Sequence, residues 1–201
     1  FVLIVLLSSF LRFYGLSWGD GFFFHPDERN IASSISQLNF PHQLNPHFFA
    51  YGSFPIYVIY FTGIILNILS QKIPISNVGF EQAILISRFY SALLSVLVTM
   101  SIYFLLKRWQ GEKAALLSAF LSSISIGLIQ FAHFGTFEMW LTFLSVVLFY
   151  FCLKITESGK LKFIIFTGIV FALLVSTKIS SLALLPVPII AIFLYQIKDR
   201  A

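Results

Sequence analysis

Charge is scarce in this chain of 201 residues: thirteen Lys or Arg and eight Asp or Glu make up only 10% of it, against about 25% in a soluble domain. That excludes an ordinary water-facing enzyme and a disordered arm. Cysteine is scarcer still. A single Cys152 inside an apolar run excludes a disulfide framework and any zinc or iron–sulfur site built on thiolates, and leaves the redox compartment unreadable. There is no internal repeat and no low-complexity segment. The formal net charge of +5 falls in short clusters between apolar stretches, a pattern that orients a membrane protein rather than grips nucleic acid. What the chain has instead is 58% hydrophobic residues, with 25 Phe, 8 Tyr and 3 Trp, and a mean hydropathy of +0.91. Such a composition implies an integral membrane protein.

Charge-free stretches at residues 89–106, 114–132, 139–153, 163–177 and 179–197 can each cross a bilayer if their flanks help. Residues 1–17 add a sixth, with Arg12 near its C-terminal end. Residues 54–70 decide the topology. If they lie along the interface, the N-terminus is cytoplasmic and Lys107, Arg108, Lys113, Lys154, Lys160, Lys162, Lys198 and Arg200 all fall on the inside, as orientation rules prefer. If they cross, the same residues stay inside only with the N-terminus outside, and charge alone permits both. Tyr60, Gly63, Asn67 and Ser70 form a weak polar stripe and Pro55 suits a helix start, which favours the interfacial reading.

The expectation is an all-α, polytopic helical membrane protein of about six transmembrane helices. Residues 18–82 would be a long, structured first outer loop carrying interfacial helices, and residues 1–201 a single membrane domain. The chain opens at Phe1 in the middle of an apolar run without a basic n-region or a cleavage site, so it reads as an N-terminal fragment rather than as a signal peptide and its cargo.

Each chemistry-bearing residue has a bland interpretation. Asp27 and Glu28, after Pro26, suit the first turn of a helix, where carboxylates meet free amides and the helix dipole. Glu138 at the edge of a span is costly unless paired or wetted, and Lys178 and Arg88 can serve as snorkelling or orienting cations. His25, His42 and His47 share a loop with the acidic pair and offer ligands that a divalent metal accepts, at spacings of no metal motif. A divalent metal is thus possible and no cofactor is certain. His133 reads first as a polar residue near the outer end of the third span. Trp18, Trp109 and Trp140 fall near span ends as interface anchors.

The segment Phe24-His25-Pro26-Asp27-Glu28-Arg29-Asn30, followed by Asn45-Pro46-His47-Phe48-Phe49-Ala50-Tyr51-Gly52-Ser53-Phe54-Pro55-Ile56-Tyr57, resembles the first outer loop of the C-type membrane glycosyltransferases. More narrowly it looks like the protein O-mannosyltransferase and aminoarabinose-transferase branch. Arg88-Phe89-Tyr90-Ser91-Ala92-Leu93 is similar to the Arg-containing opening of that branch's second span. Ala132 to Glu138 falls where the branch has its second acidic site, usually Asp, and Ser176-Thr177-Lys178 with Leu185-Pro186 looks like its Thr-Lys segment before a proline-containing span.

The resemblance implies an inverting transfer of a mannose-like hexose or related sugar from a polyprenyl-phosphate carrier to an acceptor hydroxyl. It implies Asp27, Glu28 and Glu138 as catalytic residues, with Asp27 the general base, and Lys178, Arg88, His133 and Tyr57 as donor-binding groups. Tyr57 and Tyr60 would wall a groove for the prenyl tail. The implied partners are the lipid-linked sugar, a protein, lipid or glycan acceptor, and membrane lipid; nucleic acid is not among them. The implied place is a multi-pass position in the membrane, the plasma membrane in a prokaryote, with the active site on the non-cytoplasmic face. A transporter or flippase for a lipid-linked solute is the alternative, since ions at span edges serve transport as well, and a noncatalytic subunit with a decayed transferase fold is a third class.

Overall fold

The computed structural model describes residues 1–200, with Asp199 and Arg200 as backbone alone. It is all-helical apart from one isolated bridge between Asn39 and Gln43. The helices are α1 (Val2–Phe13), α2 (Pro26–Ser36), α3 (Phe54–Leu69), α4 (Phe80–Ser123), α5 (Ile126–Ala132), α6 (Glu138–Ser158), α7 (Leu161–Thr177) and α8 (Pro186–Arg200), with a 3-10 turn over Ile179–Leu184 leading into α8. Phe80–Ser123, Glu138–Ser158 and Ile179–Lys198 are long and apolar enough to cross a membrane; Val2–Phe13, Phe54–Leu69 and Leu161–Thr177 are shorter apolar helices.

α4 is two helices in one. Gly111 breaks it with φ 82 and ψ 175, a conformation open to glycine and costly for other residues. The chain folds back there, so that Thr99 meets Ser122 at 3.0 Å, Ser95 donates to the Leu128 carbonyl and Ser91 to that of Thr136. Ser87, Ser91, Ser95 and Thr99 recur every fourth residue and are all buried. Small side chains at that spacing let helix backbones approach closely in an apolar bundle.

The expected continuous span at residues 114–132 is interrupted at Ile124 and Ser125. An interrupted helix leaves carbonyls without partners, and lipid offers none. Arg12 supplies them: its guanidinium donates to the carbonyls of Ser122 (2.9 Å), Ser123 (2.9 Å) and Ser8 (3.3 Å) and to the Ser95 hydroxyl (2.7 Å). Arg12 is fully buried. Its place near the end of α1 thus reflects a structural task.

α1 runs antiparallel to the first arm of α4, with Phe1 stacked on Tyr103 and Ser8 beside Thr99. The bundle therefore has two distinct ends. At one, Lys107 pairs with Glu112, and Arg108 and Lys154 with Glu157, close to Lys160 in the α6–α7 turn and Lys162 in the first turn of α7. These lysines and Arg108 are five of the eight residues expected on one side from charge; the Arg200 side chain lies outside the described residues. At the other end stand Asp27, Glu28, Arg88, Glu138 and Lys178.

α3 has both of its ends at this second, acidic end. Gly52, just before it, donates its N–H to the Thr177 carbonyl at 2.9 Å, and Phe54 packs edge-on against Trp140. Its last turn is tied to the start of α4, where Gln82 donates to Asn67 at 2.9 Å. The segment does not run the length of the bundle. Three of the four members of the polar stripe read from the sequence are turned inward: Tyr60, Gly63 and Asn67 are buried, whereas Ser70 is exposed, and the Tyr60 hydroxyl donates to the Ser76 carbonyl while accepting from the Phe40 N–H.

Candidate functional site

α2 begins with the means to place two carboxylates. His25 caps it in an extended conformation, Pro26 supplies a pre-set φ at the first helical position, and Asp27 and Glu28 occupy the first turn. Successive residues on a helix point about 100° apart, and the two side chains go to different destinations.

Glu28 turns inward and is fully buried. It takes a two-pronged grip from Arg88, Nε to Oε1 at 2.6 Å and Nη2 to Oε2 at 2.9 Å, and accepts the Gly135 N–H at 2.8 Å. Arg88 spends its remaining donors on the carbonyls of Leu16 (2.8 Å) and Trp18 (3.0 Å), with its guanidinium 4.5 Å from the centre of the Trp18 indole. Gly135 fits only because it lacks a side chain: a Cβ there would lie 2.7 Å from that of Ser87. One ion pair thus ties together α2, α4, the α1–α2 loop and the α5–α6 loop. Both side chains are 0% exposed, which leaves neither free to touch a carrier phosphate.

Asp27 stays half-exposed. Its Oδ2 accepts the Tyr51 hydroxyl at 3.0 Å. The Lys178 Nζ lies 4.9 Å from the centre of the Tyr51 ring and 3.9 Å from Glu138 Oε1, with Lys178 and Glu138 each about one-third exposed. The other Glu138 oxygen is buried without a hydrogen-bond partner. Glu138 opens α6, where a carboxylate is favoured by the helix dipole, and it borders a shallow cavity of about 440 Å³ between α5 and α6. Lys178 follows the last residue of α7 in an extended conformation. Asp27, Tyr51, Lys178 and Glu138 therefore form a continuous half-open group: two acids, one cation and a phenol.

Tyr51 is the member that sequence reasoning missed, although it stands inside the quoted loop motif. Its phenol is pushed up to about 12, first by burial, then by the hydrogen bond to Asp27 and the negative charges of Asp27 and Glu138. It is a donor at any working pH. No local pattern marks it; its place is set through Gly52, where a Cβ would clash with the Ser176 carbonyl, so this glycine clamps the backbone beside it.

The remaining candidates sit elsewhere. Tyr57 donates its hydroxyl to the Leu44 carbonyl at 2.9 Å, so Tyr57 and Tyr60 both tie down the loop between α2 and α3. His133 has its two ring nitrogens 2.8 and 2.9 Å from the Ile129 and Tyr14 carbonyls, beside Trp18, whose indole N–H donates to the His133 carbonyl. It braces the α1–α2 loop. His42 and His47 are exposed, and among the described residues no group of three or more His, Cys, Asp or Glu converges as a metal cluster. An apolar groove of about 790 Å³ opens between α3 and the start of α4, floored by Leu66, Phe80, Leu85 and Phe89.

A family model described as dolichyl-phosphate-mannose-protein mannosyltransferase matches residues 75–200. No curated protein and no solved structure matches the chain. The matched region includes Arg88, His133, Glu138 and Lys178. Asp27, Glu28, Tyr51 and Tyr57 precede it; the contacts above join Glu28 and Tyr51 directly to it, and Asp27 through Tyr51.

Proposed function

Because this chain belongs to the dolichyl-phosphate-mannose-protein mannosyltransferase family, a family of glycosyltransferases, we propose that it moves a mannose-like hexose from a polyprenyl phosphate to an acceptor hydroxyl at the acidic end of the bundle, on the non-cytoplasmic face. The acceptor oxygen attacks the anomeric carbon from the side opposite the phosphate, which inverts configuration. Its proton passes to Asp27. The bond from the anomeric carbon to the phosphate oxygen breaks with its electron pair left on that oxygen, and the carrier departs as the free phosphate.

The observation that carries this reading is the divergence of the acidic pair. Glu28 is consumed by Arg88, whereas Asp27 is half-open and within one tyrosine of a cation. Lys178 is the side chain suited to the carrier phosphate, since it meets Glu138 only at 3.9 Å and a phosphate could take the place of that loose contact. Glu138 anchors Lys178 until the phosphate arrives and, once released, offers a second acid at the site. Glu28 and Arg88 hold the helix that presents Asp27, and residues 18–82 form the outer loop of a single membrane domain, with α3 lying at the interface.

The test is transfer of label from radiolabelled polyprenyl-phosphate mannose in membranes containing the full-length protein. Asp27→Asn keeps the size and the hydrogen bonding of the helix start but cannot accept a proton. Turnover is expected to fall by ~10² or more with donor binding little changed. Turnover within about threefold of wild type, much less than a lost general base costs, would leave Asp27 as a first-turn carboxylate favoured only by the helix dipole and remove this reading.

A further inference from the structure

A half-exposed carboxylate in the first turn of a helix can rotate about two torsions and present either oxygen to water. A general base needs one oxygen held toward the acceptor through the turnover cycle. Nothing on α2 itself restrains Asp27, because the neighbouring side chain that is restrained, Glu28, points into the bundle.

We propose that Tyr51 is a positioning residue with two separable tasks: its hydroxyl fixes the Asp27 carboxylate so that Oδ1 is left to take the acceptor's proton, and its ring holds the Lys178 ammonium over the site. This rests on the reading of Asp27 as the base. The hydroxyl donates to Oδ2 at 3.0 Å, and the Lys178 Nζ lies 4.9 Å from the ring centre. The ring is itself held in place, by Phe137 at 5.7 Å and 61° and by Phe48 at 5.7 Å and 56°. Its backbone is clamped where Gly52 meets the end of α7 through the Thr177 carbonyl at 2.9 Å, one residue before Lys178. Phe137 likewise precedes Glu138. Tyr51 thus touches the chain beside each charged member of the site.

The charged groups facing Tyr51 are Asp27 from α2, Glu138 from α6 and Lys178 after α7. The raised phenol keeps its proton at working pH, so the hydroxyl remains a donor to the carboxylate. Removing the donor therefore frees the Asp27 carboxylate to rotate, while the ring that faces Lys178 is untouched. A phenyl ring keeps the face that attracts an ammonium, whereas an aliphatic side chain does not.

The experiment compares Tyr51→Phe and Tyr51→Leu in the full-length protein, with initial rates measured across a range of radiolabelled polyprenyl-phosphate mannose concentrations. Tyr51→Phe is expected to lower the maximal rate about tenfold, the loss of one hydrogen bond to a charged group. The half-saturating donor concentration should be unchanged. Tyr51→Leu is expected to do the same and also to raise that concentration several-fold, because Lys178 loses its platform. In an Asp27→Asn background Tyr51→Phe should slow transfer no further. The half-saturating donor concentration does not depend on how much protein is folded, so poor expression of a variant cannot imitate or hide the difference between the two. A Tyr51→Phe variant that transfers at the wild-type maximal rate, or whose half-saturating concentration rises as far as that of Tyr51→Leu, beside an Asp27→Asn variant that is inactive, overturns the proposal and leaves the base in place. An active Asp27→Asn variant removes the base reading instead.

Discussion

At position 28 the chain spends a carboxylate on architecture, and at position 27 it keeps one available. The cost of burying Glu28 and Arg88 is met by a bidentate pair and by three further hydrogen bonds, from the Gly135 N–H and to the carbonyls of Leu16 and Trp18. Removing one partner of such a pair strands the other charge in an apolar interior, typically at about 3–5 kcal/mol. Glu28→Gln should therefore lower thermal unfolding in detergent strongly, while Glu28→Leu combined with Arg88→Met recovers part of the loss. A Glu28→Gln variant that unfolds like wild type yet has lost transfer would give Glu28 a direct part in the chemistry.

The elements of this bundle depend on side chains that reach between them. Arg12 is the clearest case, because α1 donates hydrogen bonds to the carbonyls left open where the second arm of α4 stops. In Arg12→Leu the Ser123 carbonyl loses its partner and that of Ser122 keeps only the Ser125 N–H at 3.3 Å, and the expected loss is roughly 1–3 kcal/mol, read as earlier unfolding and as proteolysis between α4 and α5. Arg12→Lys should restore part of it, since an ammonium can reach one carbonyl but lacks the fork that serves two. Unfolding of Arg12→Leu at the wild-type temperature would mean that water or lipid headgroups satisfy the break.

For the whole molecule, the two ends differ in charge and in structure. The pairs among Lys107, Arg108, Glu112, Lys154 and Glu157 gather at one end, and α3 returns to the other. Single cysteines at positions 30, 72 and 160, all exposed, in a Cys152→Ala background should separate cleanly. Positions 30 and 72 are expected to react with an impermeant thiol reagent from the non-cytoplasmic side, and position 160 only after the membrane is opened. Reaction of 30 and 72 from opposite faces would mean that α3 crosses, and the loop assignment would fall.

Hydropathy alone determined that this chain is a helical membrane protein, because lipid leaves the backbone no choice but to satisfy itself. Charge placement determined which turns cluster at the basic end. Local rules also sufficed to start α2 at Pro26 with two acids in its first turn. They could not say which acid would stay open, since that depends on Arg88 arriving from 60 residues away in sequence. Nor could they distinguish Arg12 at a span end from an orienting charge: the broken helix that it serves is 110 residues distant. The stripe on α3 was legible as a period but not as a direction, because a polar face turns to water or inward according to what packs against it. Tyr51 was hidden for the same reason. A tyrosine in an aromatic loop has no pattern of its own, and only the approach of Gly52 to α7 sets it between a carboxylate and an ammonium.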